Sequence, residues 1–184
     1  FCYRLEEGKK FLALAKKIGT PVTSFSSIAH SYETFDIKRQ VESMGEINQV
    51  VRYGPIKLDS EYGGVFFYGA HIIQPLMYIF GDAIKKVRMN DNGKNSSASL
   101  IYENGMLATL ISTTKKYGWE THVETKDGMM KLNATEDYKG KIPKNDLDMV
   151  TMFKTGVEPR SYESILSGVA VLEALERSVN SGKW

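Results

Sequence analysis

Between Gly63 and Gly81 the chain reads GGVFFYGAHIIQPLMYIFG, a helix-length segment that is almost wholly apolar. A helix that is apolar nearly all round has to be buried on most sides, so the rest of the fold has to be built against it. Tyr68, His71, Gln74 and Tyr78 are its polar members, and neighbours in that set are three or four residues apart. That spacing lines them along one helical face. The pattern predicts a helix that backs onto a core and turns a short polar stripe toward a cleft. Pro75, inside the stretch, predicts a kink or a break. The apolar run is interrupted and too short for a membrane span.

On either side the periodicity changes twice. Residues 5–18 carry Leu5, Phe11, Leu12, Leu14, Ala15 and Ile18 at helical spacing, and Gly19 and Pro21 stop the helix. The lysines between them, Lys9, Lys10, Lys16 and Lys17, read as a solvated face. Residues 22–28 (VTSFSSI) then read as a short strand. Residues 31–44 read as a helix with Tyr32, Phe35, Ile37 and Val41 inward, and residues 47–53 as a strand.

Downstream of Gly81 the pattern is of strands. Residues 97–102 and 106–113 flank Glu103-Asn104-Gly105, and residues 119–125 and 129–132 flank Lys126-Asp127-Gly128. Asn-Gly and Asp-Gly between alternating apolar runs are hairpin signals. With residues 84–89 added, residues 84–132 read as a meander of five strands. One face of it is expected on helices and the other open, with Leu100, Leu107 and Ile111 as candidates for the open face. Two helices close the chain, over residues 146–155 and 161–180, with Glu173 and Glu176 expected in solvent. The fold class is therefore α+β, a large mostly antiparallel sheet with helices on one face, preceded by the last helix and strand of a Rossmann-type α/β unit.

Composition narrows the function classes. The 24 Lys and Arg nearly cancel the 22 Asp and Glu, leaving +2 and no basic block of the kind a nucleic-acid partner needs. One cysteine, Cys2, rules out an intrachain disulfide framework and a multi-thiolate metal site and fits a reducing, cytoplasmic setting. His30, His71 and His122 lie far apart without ligating partners at metal spacing, so no metal is expected. No signal peptide is visible. The chain opens on Phe1 with a helix almost at once, which reads as a piece of a longer chain.

Three segments carry a family pattern: Phe1 to Gly8 with the helix to Ile18, Gly19 and Pro21-Val22; Gly63-Gly64 with Gly69-Ala70-His71 and Phe80-Gly81; and Met152-Phe153 with Gly156, Pro159, Glu163, residues 170–175 and Ser181-Gly182-Lys183. In this order the chain resembles the C-terminal portion of a Gfo/Idh/MocA-type oxidoreductase. The family's enzymes are NAD(P)-dependent, and many act on sugars, inositols and related polyols. The resemblance implies a division into residues 1–30, the tail of a nucleotide-binding domain, and residues 31–184, a substrate-binding and oligomerisation domain. It also implies that NAD or NADP is held mainly upstream, since no GxGxxG occurs here. The family's catalytic lysine falls just before Phe1, and the fragment by itself is expected not to turn over. The expected assembly is a homodimer or homotetramer through the open sheet face.

The same resemblance assigns roles. His71 matches the histidine of the family's substrate-site helix and would act as general base at a substrate hydroxyl, a task suited to a near-neutral pKa. Without the resemblance, a hydrogen-bonded structural histidine is the simpler reading. The aspartate usually found four residues earlier is Phe67 here, and one often found three residues later is Gln74. Phe67 neither orients an imidazole nor accepts a proton, which opens the alternative of a non-catalytic family member serving as an assembly module. Tyr68 and Gln74 either bond substrate hydroxyls or cap the core's edge. His30, ending the residue 22–28 segment, either touches substrate or cofactor or is a loop histidine. Lys57, Asp59 and Tyr62 lie in the loop before the helix, where substrate-binding residues are expected. Tyr117 and Trp119 either pack at a sheet interface or stack on a sugar, and Lys115-Lys116 reads as surface.

Overall fold

The long apolar segment forms one helix, α3 (Val65–Phe80), at the centre of the molecule. The computed structural model describes residues 2–113 and 118–184. Lys115, Lys116 and Tyr117 lie outside the described residues, as does Phe1. Ahead of α3 come α1 (Leu5–Ile18), α2 (Tyr32–Ser43) and β1 (Gln49–Gly54). After it come β2 (Ile84–Asp91), β3 (Ser96–Tyr102), β4 (Leu107–Ser112), β5 (Glu120–Thr125) and β6 (Gly128–Leu132), then α4 (Lys144–Thr155) and α5 (Tyr162–Ser181). The α+β class is as expected.

Pro75 neither breaks the helix nor leaves it unsatisfied. A proline has no N–H for the carbonyl four residues back, here that of His71. The guanidinium of Arg52, from β1, takes that role: Nη2 donates to the His71 carbonyl at 3.3 Å and Nε to the Ile72 carbonyl at 2.9 Å. A third bond runs from Nη1 to Thr121 Oγ1. Arg52 is only 4% exposed and has no acidic partner among the described residues. Burial pulls its pKa down to about 10, so it stays charged at neutral pH.

The sheet runs β2-β3-β4-β1-β5-β6. Both expected hairpins form; Gly105, at φ 90, sits in the β3–β4 turn, where Tyr102 N–H donates to the Met106 carbonyl at 2.9 Å. The five strands are not one meander, however. β1 is inserted between β4, which it pairs in parallel, and β5, which it pairs antiparallel. The connection from β4 to β5 is too long for a tight hairpin, and β1 fills both ladders that this leaves open. Alternation then sorts the faces. Val50, Ala98, Leu100, Ala108, Leu110 and Val123 are buried beneath the helices. Val51, Tyr53, Ile101, Leu107, Thr109 and Ile111 are half-buried on the opposite face. Leu107 and Ile111 are on the expected side, but Leu100 is fully buried in the core, because its even register in β3 matches Ala98 and Tyr102.

α3 packs between the sheet and α5, with α2 alongside. Gly69 permits the close approach of α5: a Cβ there would lie 2.7 Å from Leu172 Cδ2, which is itself buried. α1 packs on α5 through Gly8, Leu12 and Ala15 and leaves Phe11, Leu14 and Ile18 exposed. Glu173 is not in solvent as expected. It is 8% exposed, accepts the Leu5 N–H at 2.9 Å at the start of α1, and pairs with Arg177 at 2.6 Å. An N-terminal orphan donor of α1 thus draws a carboxylate inward.

The expected strand over residues 22–28 does not form: residues 22–26 pair with no other strand and residues 27–30 make a turn. Its donors go to side chains rather than to a ladder: Val22 N–H to Glu158 Oε1 at 2.7 Å, and Ser26 N–H to Gln74 Oε1. The segment lies along the polar face of α3 and not beside a sheet edge, so its apolar, β-branched composition serves packing without pairing.

Candidate active site

The polar stripe of α3 is present as predicted. Tyr68, His71, Gln74 and Tyr78 are the half-buried members between fully buried neighbours, and Phe67 at the same end is 41% exposed. The stripe divides in two. Toward the C-terminus, Tyr78 is boxed in by cations, with Arg160 at 4.5 Å and Lys38 at 5.0 Å from its ring centre. Gln74 is tied to the Ser26 backbone. Both side chains also line a pocket with Lys38, Asp82 and Arg160.

Toward the N-terminus the stripe is aromatic. Tyr62, Phe67 and Tyr68 follow one another with ring centres 5.3 and 4.6 Å apart. The His71 ring lies 6.5 Å beyond Tyr68 and meets the edge of Trp119 at 5.7 Å. Trp119 fits there because Gly54, ending β1, has no side chain; a Cβ would come within 2.7 Å of the indole. Nδ1 of His71 is 2.7 Å from Ser26 Oγ, and Nε2 has no hydrogen-bond partner among the described residues. Burial holds the His71 pKa below its ordinary value, so the imidazole is neutral near pH 7.

Tyr68 also lines a cleft of about 410 Å³, shared with Lys57, Asp59, Asn95 and Thr113. The cleft lies past the carboxyl ends of the parallel neighbours β1 and β4, where loops are free to carry binding groups. Ser112 pins the first of these loops, its Oγ accepting the Ile56 N–H at 3.2 Å and donating to the Ile56 carbonyl at 2.9 Å. Thr113 Oγ1 is buried and has no hydrogen-bond partner among the described residues. Lysine, carboxylate, amide and hydroxyl groups line the cleft together with the Tyr68 ring, a mixture suited to a polar ligand.

Of the residues singled out from sequence, Tyr68, Lys57 and Asp59 line one cleft, and His71 adjoins it through Tyr68 without lining it. Tyr62 is 63% exposed and reaches it only through Phe67. His30 stands apart. It is 2% exposed, stacked on Phe25, with Nε2 on Asp148 Oδ2 and Nδ1 accepting from Arg160 Nε at 3.3 Å. Both ring nitrogens serve the protein, and Lys144 reaches the same Asp148 at 2.7 Å. His122 lies on the open sheet face, edge-on to Tyr53. Among the described residues, no three His, Cys, Asp or Glu side chains gather as metal ligands. Ser26, Asn95 and Thr113 were not singled out, because nothing local marks a serine in a predicted strand as the partner of a histidine 45 positions on.

A pH prediction follows from the two buried imidazoles. Burial, the largest influence on each, lowers the pKa of His30 and His71 from 6.5. The unfolded chain therefore takes up protons first as pH falls. Their contribution to stability is complete above about pH 6.5 and is lost as pH drops through the lowered values. Denaturant midpoints should fall between about pH 7.5 and about pH 5.5, and a flat profile would contradict the assignment.

No protein-family model matches the chain, and no curated protein does. Among solved structures, the aldose-aldose oxidoreductase of Caulobacter crescentus, complexed with glycerol, superposes with a TM-score of 0.74 at 13% identity, over 99% of this chain and 68% of that one. The chain shares its fold. The scyllo-inositol dehydrogenase of Lactobacillus casei, with NAD(H) and scyllo-inositol bound, gives 0.73 at 13% identity, over 98% and 69%. GenD2 from gentamicin A biosynthesis, in complex with NAD, gives 0.75 at 12% identity, over 97% and 67%. At such identities the likeness is one of fold, and function has to be argued from the site.

Proposed function

We propose that this chain is the substrate-binding and assembly portion of an NAD(P)-dependent oxidoreductase acting on a sugar, inositol or related polyol. The observation that carries this reading is a neutral, half-buried His71, anchored at Nδ1 and followed along the helix face by Tyr68, which lines a polar cleft. Oxidation of a secondary alcohol removes a proton from oxygen as well as a hydride from carbon. In this reading His71 Nε2 takes the proton, and Tyr68, Lys57 and Asp59 orient the remaining hydroxyls. Three proteins sharing the fold, crystallised with glycerol, with NAD(H) and scyllo-inositol, and with NAD, support a polyol-type substrate and an NAD-type cofactor.

The described residues do not fit a dinucleotide themselves. The sheet is mostly antiparallel, and the sequence holds no GxGxxG turn of the kind that cradles a pyrophosphate. The cofactor would be held by a separate nucleotide-binding unit, to which residues 1–30 would belong. The second reading, a non-catalytic assembly module, draws on Phe67, whose ring packs tilted against Tyr62 and edge-on to Tyr68 where the resembling family has a carboxylate. Assaying the natural full-length protein against inositols, polyols and sugars with NAD and NADP separates the two: turnover supports the enzyme, and inactivity across the panel supports the module.

Assembly would use the open sheet face, where Tyr53, Ile101, Leu107 and Ile111 are half-buried without a covering helix. Sedimentation should give a dimer or larger species, and Ile111→Arg should shift it toward monomer. A wild-type chain that stays monomeric at high concentration would exclude this face.

A further inference from the structure

Four residues before His71, where the family pattern has a carboxylate, stands Phe67, which lies outward against Tyr62 and Tyr68. The imidazole is nonetheless engaged from another direction. Ser26 Oγ lies 2.7 Å from Nδ1, and Ser26 itself is 4% exposed. Its backbone is fixed twice: the N–H donates to Gln74 Oε1, and the carbonyl accepts the His30 N–H at 3.0 Å. Gln74 and His71 are three residues apart on α3, so one turn of that helix grips one serine by both its hydroxyl and its amide.

We propose that Ser26 is a positioning residue for His71, with Gln74 holding Ser26 in place, and that this clamp replaces the orienting carboxylate that Phe67 cannot provide. The clamp occupies Nδ1 and leaves Nε2 as the ring nitrogen without a protein partner among the described residues. It fixes the ring plane, and Nε2 is bare in the tautomer in which Nδ1–H donates to Ser26 Oγ, the one the proposal requires. A serine provides this with no added charge, which agrees with the burial-lowered pKa of the imidazole. The catalytic consequence rests on the oxidoreductase reading; the clamp itself does not.

The test uses ring nitrogens of His71 observed by ¹⁵N NMR in the full chain, alongside steady-state kinetics. Wild type is expected to show one protonated and one bare nitrogen with well-separated shifts. Ser26→Ala should draw the two shifts together as tautomers exchange, Ser26→Thr should restore the separation, and Gln74→Leu should weaken it partly. In the active protein, Ser26→Ala should lower kcat about tenfold with KM for the cofactor unchanged and displace the pH profile. Unaltered ring shifts and an unaltered pH profile in Ser26→Ala would overturn the proposal. Ring shifts that respond as expected in a protein that oxidises no polyol would uphold the clamp and remove only the functional reading beneath it.

Discussion

Replacing His71 with alanine should lower turnover of the true substrate by about 10²–10⁴-fold, while cofactor binding stays nearly unchanged. The size follows from the role. A positioned base removes the hydroxyl proton in the transition state, so its loss acts on the chemical step and not on ground-state affinity. The structure gives this histidine the needed state: burial keeps it neutral, and Ser26 holds one nitrogen while the other has no protein partner among the described residues. His71→Gln keeps a polar group of similar reach yet cannot take up a proton, so it should be almost as impaired. Comparison of kcat and KM for both variants checks the prediction. Turnover close to wild type in His71→Ala would take the imidazole out of the mechanism.

Arg52→Leu should be the most destabilising single change near the site, costing about 3 kcal/mol or more. Three of the guanidinium's hydrogen bonds would be lost inside the protein, to the His71 and Ile72 carbonyls and to Thr121 Oγ1. The His71 carbonyl is the most exposed to this loss, because Pro75 offers it no N–H. That coupling makes the prediction specific. In a Pro75→Ala background the helix regains a donor for His71, so Arg52→Leu should cost measurably less there than in wild type. A double-mutant cycle on denaturant unfolding reads the difference. Strictly additive costs would mean that Arg52 does not replace the hydrogen bond that proline removes. The two predictions meet at one place, since Arg52 supports the turn of α3 that carries the imidazole.

Local chemistry announced much of this fold. The apolar stretch with its polar stripe became α3, and Asn104-Gly105 and Asp127-Gly128 became hairpins because positive φ is wanted at those glycines and nowhere nearby. What escaped the sequence was non-local. The insertion of β1 between β4 and β5 depends on which edges are left open after the hairpins close. Residues 22–28 have a strand's composition, but Glu158 and Gln74, remote in sequence, capture their donors. Glu173 looked like a surface charge until the unpaired start of α1 drew it in. At the site, His71 and Tyr68 were legible from helical spacing. Ser26 was not, since its part depends on a contact across 45 positions. His30 looked like His71 from sequence alone, and burial separates them: one ring is sealed by Asp148 and Arg160, whereas the other keeps a nitrogen free of protein partners among the described residues.

The central claim is that the aromatic, polar-striped face of α3 presents an imidazole to a polyol. It is tested most directly by following the His71 ring ¹⁵N and ¹H signals while inositols, linear polyols and sugars are titrated into the full-length protein. The account predicts that at least one of them perturbs Nε2 selectively and that Lys57→Ala or Tyr68→Phe weakens that response. Ring signals that no polyol or sugar moves, at any concentration short of nonspecific effects, would contradict it.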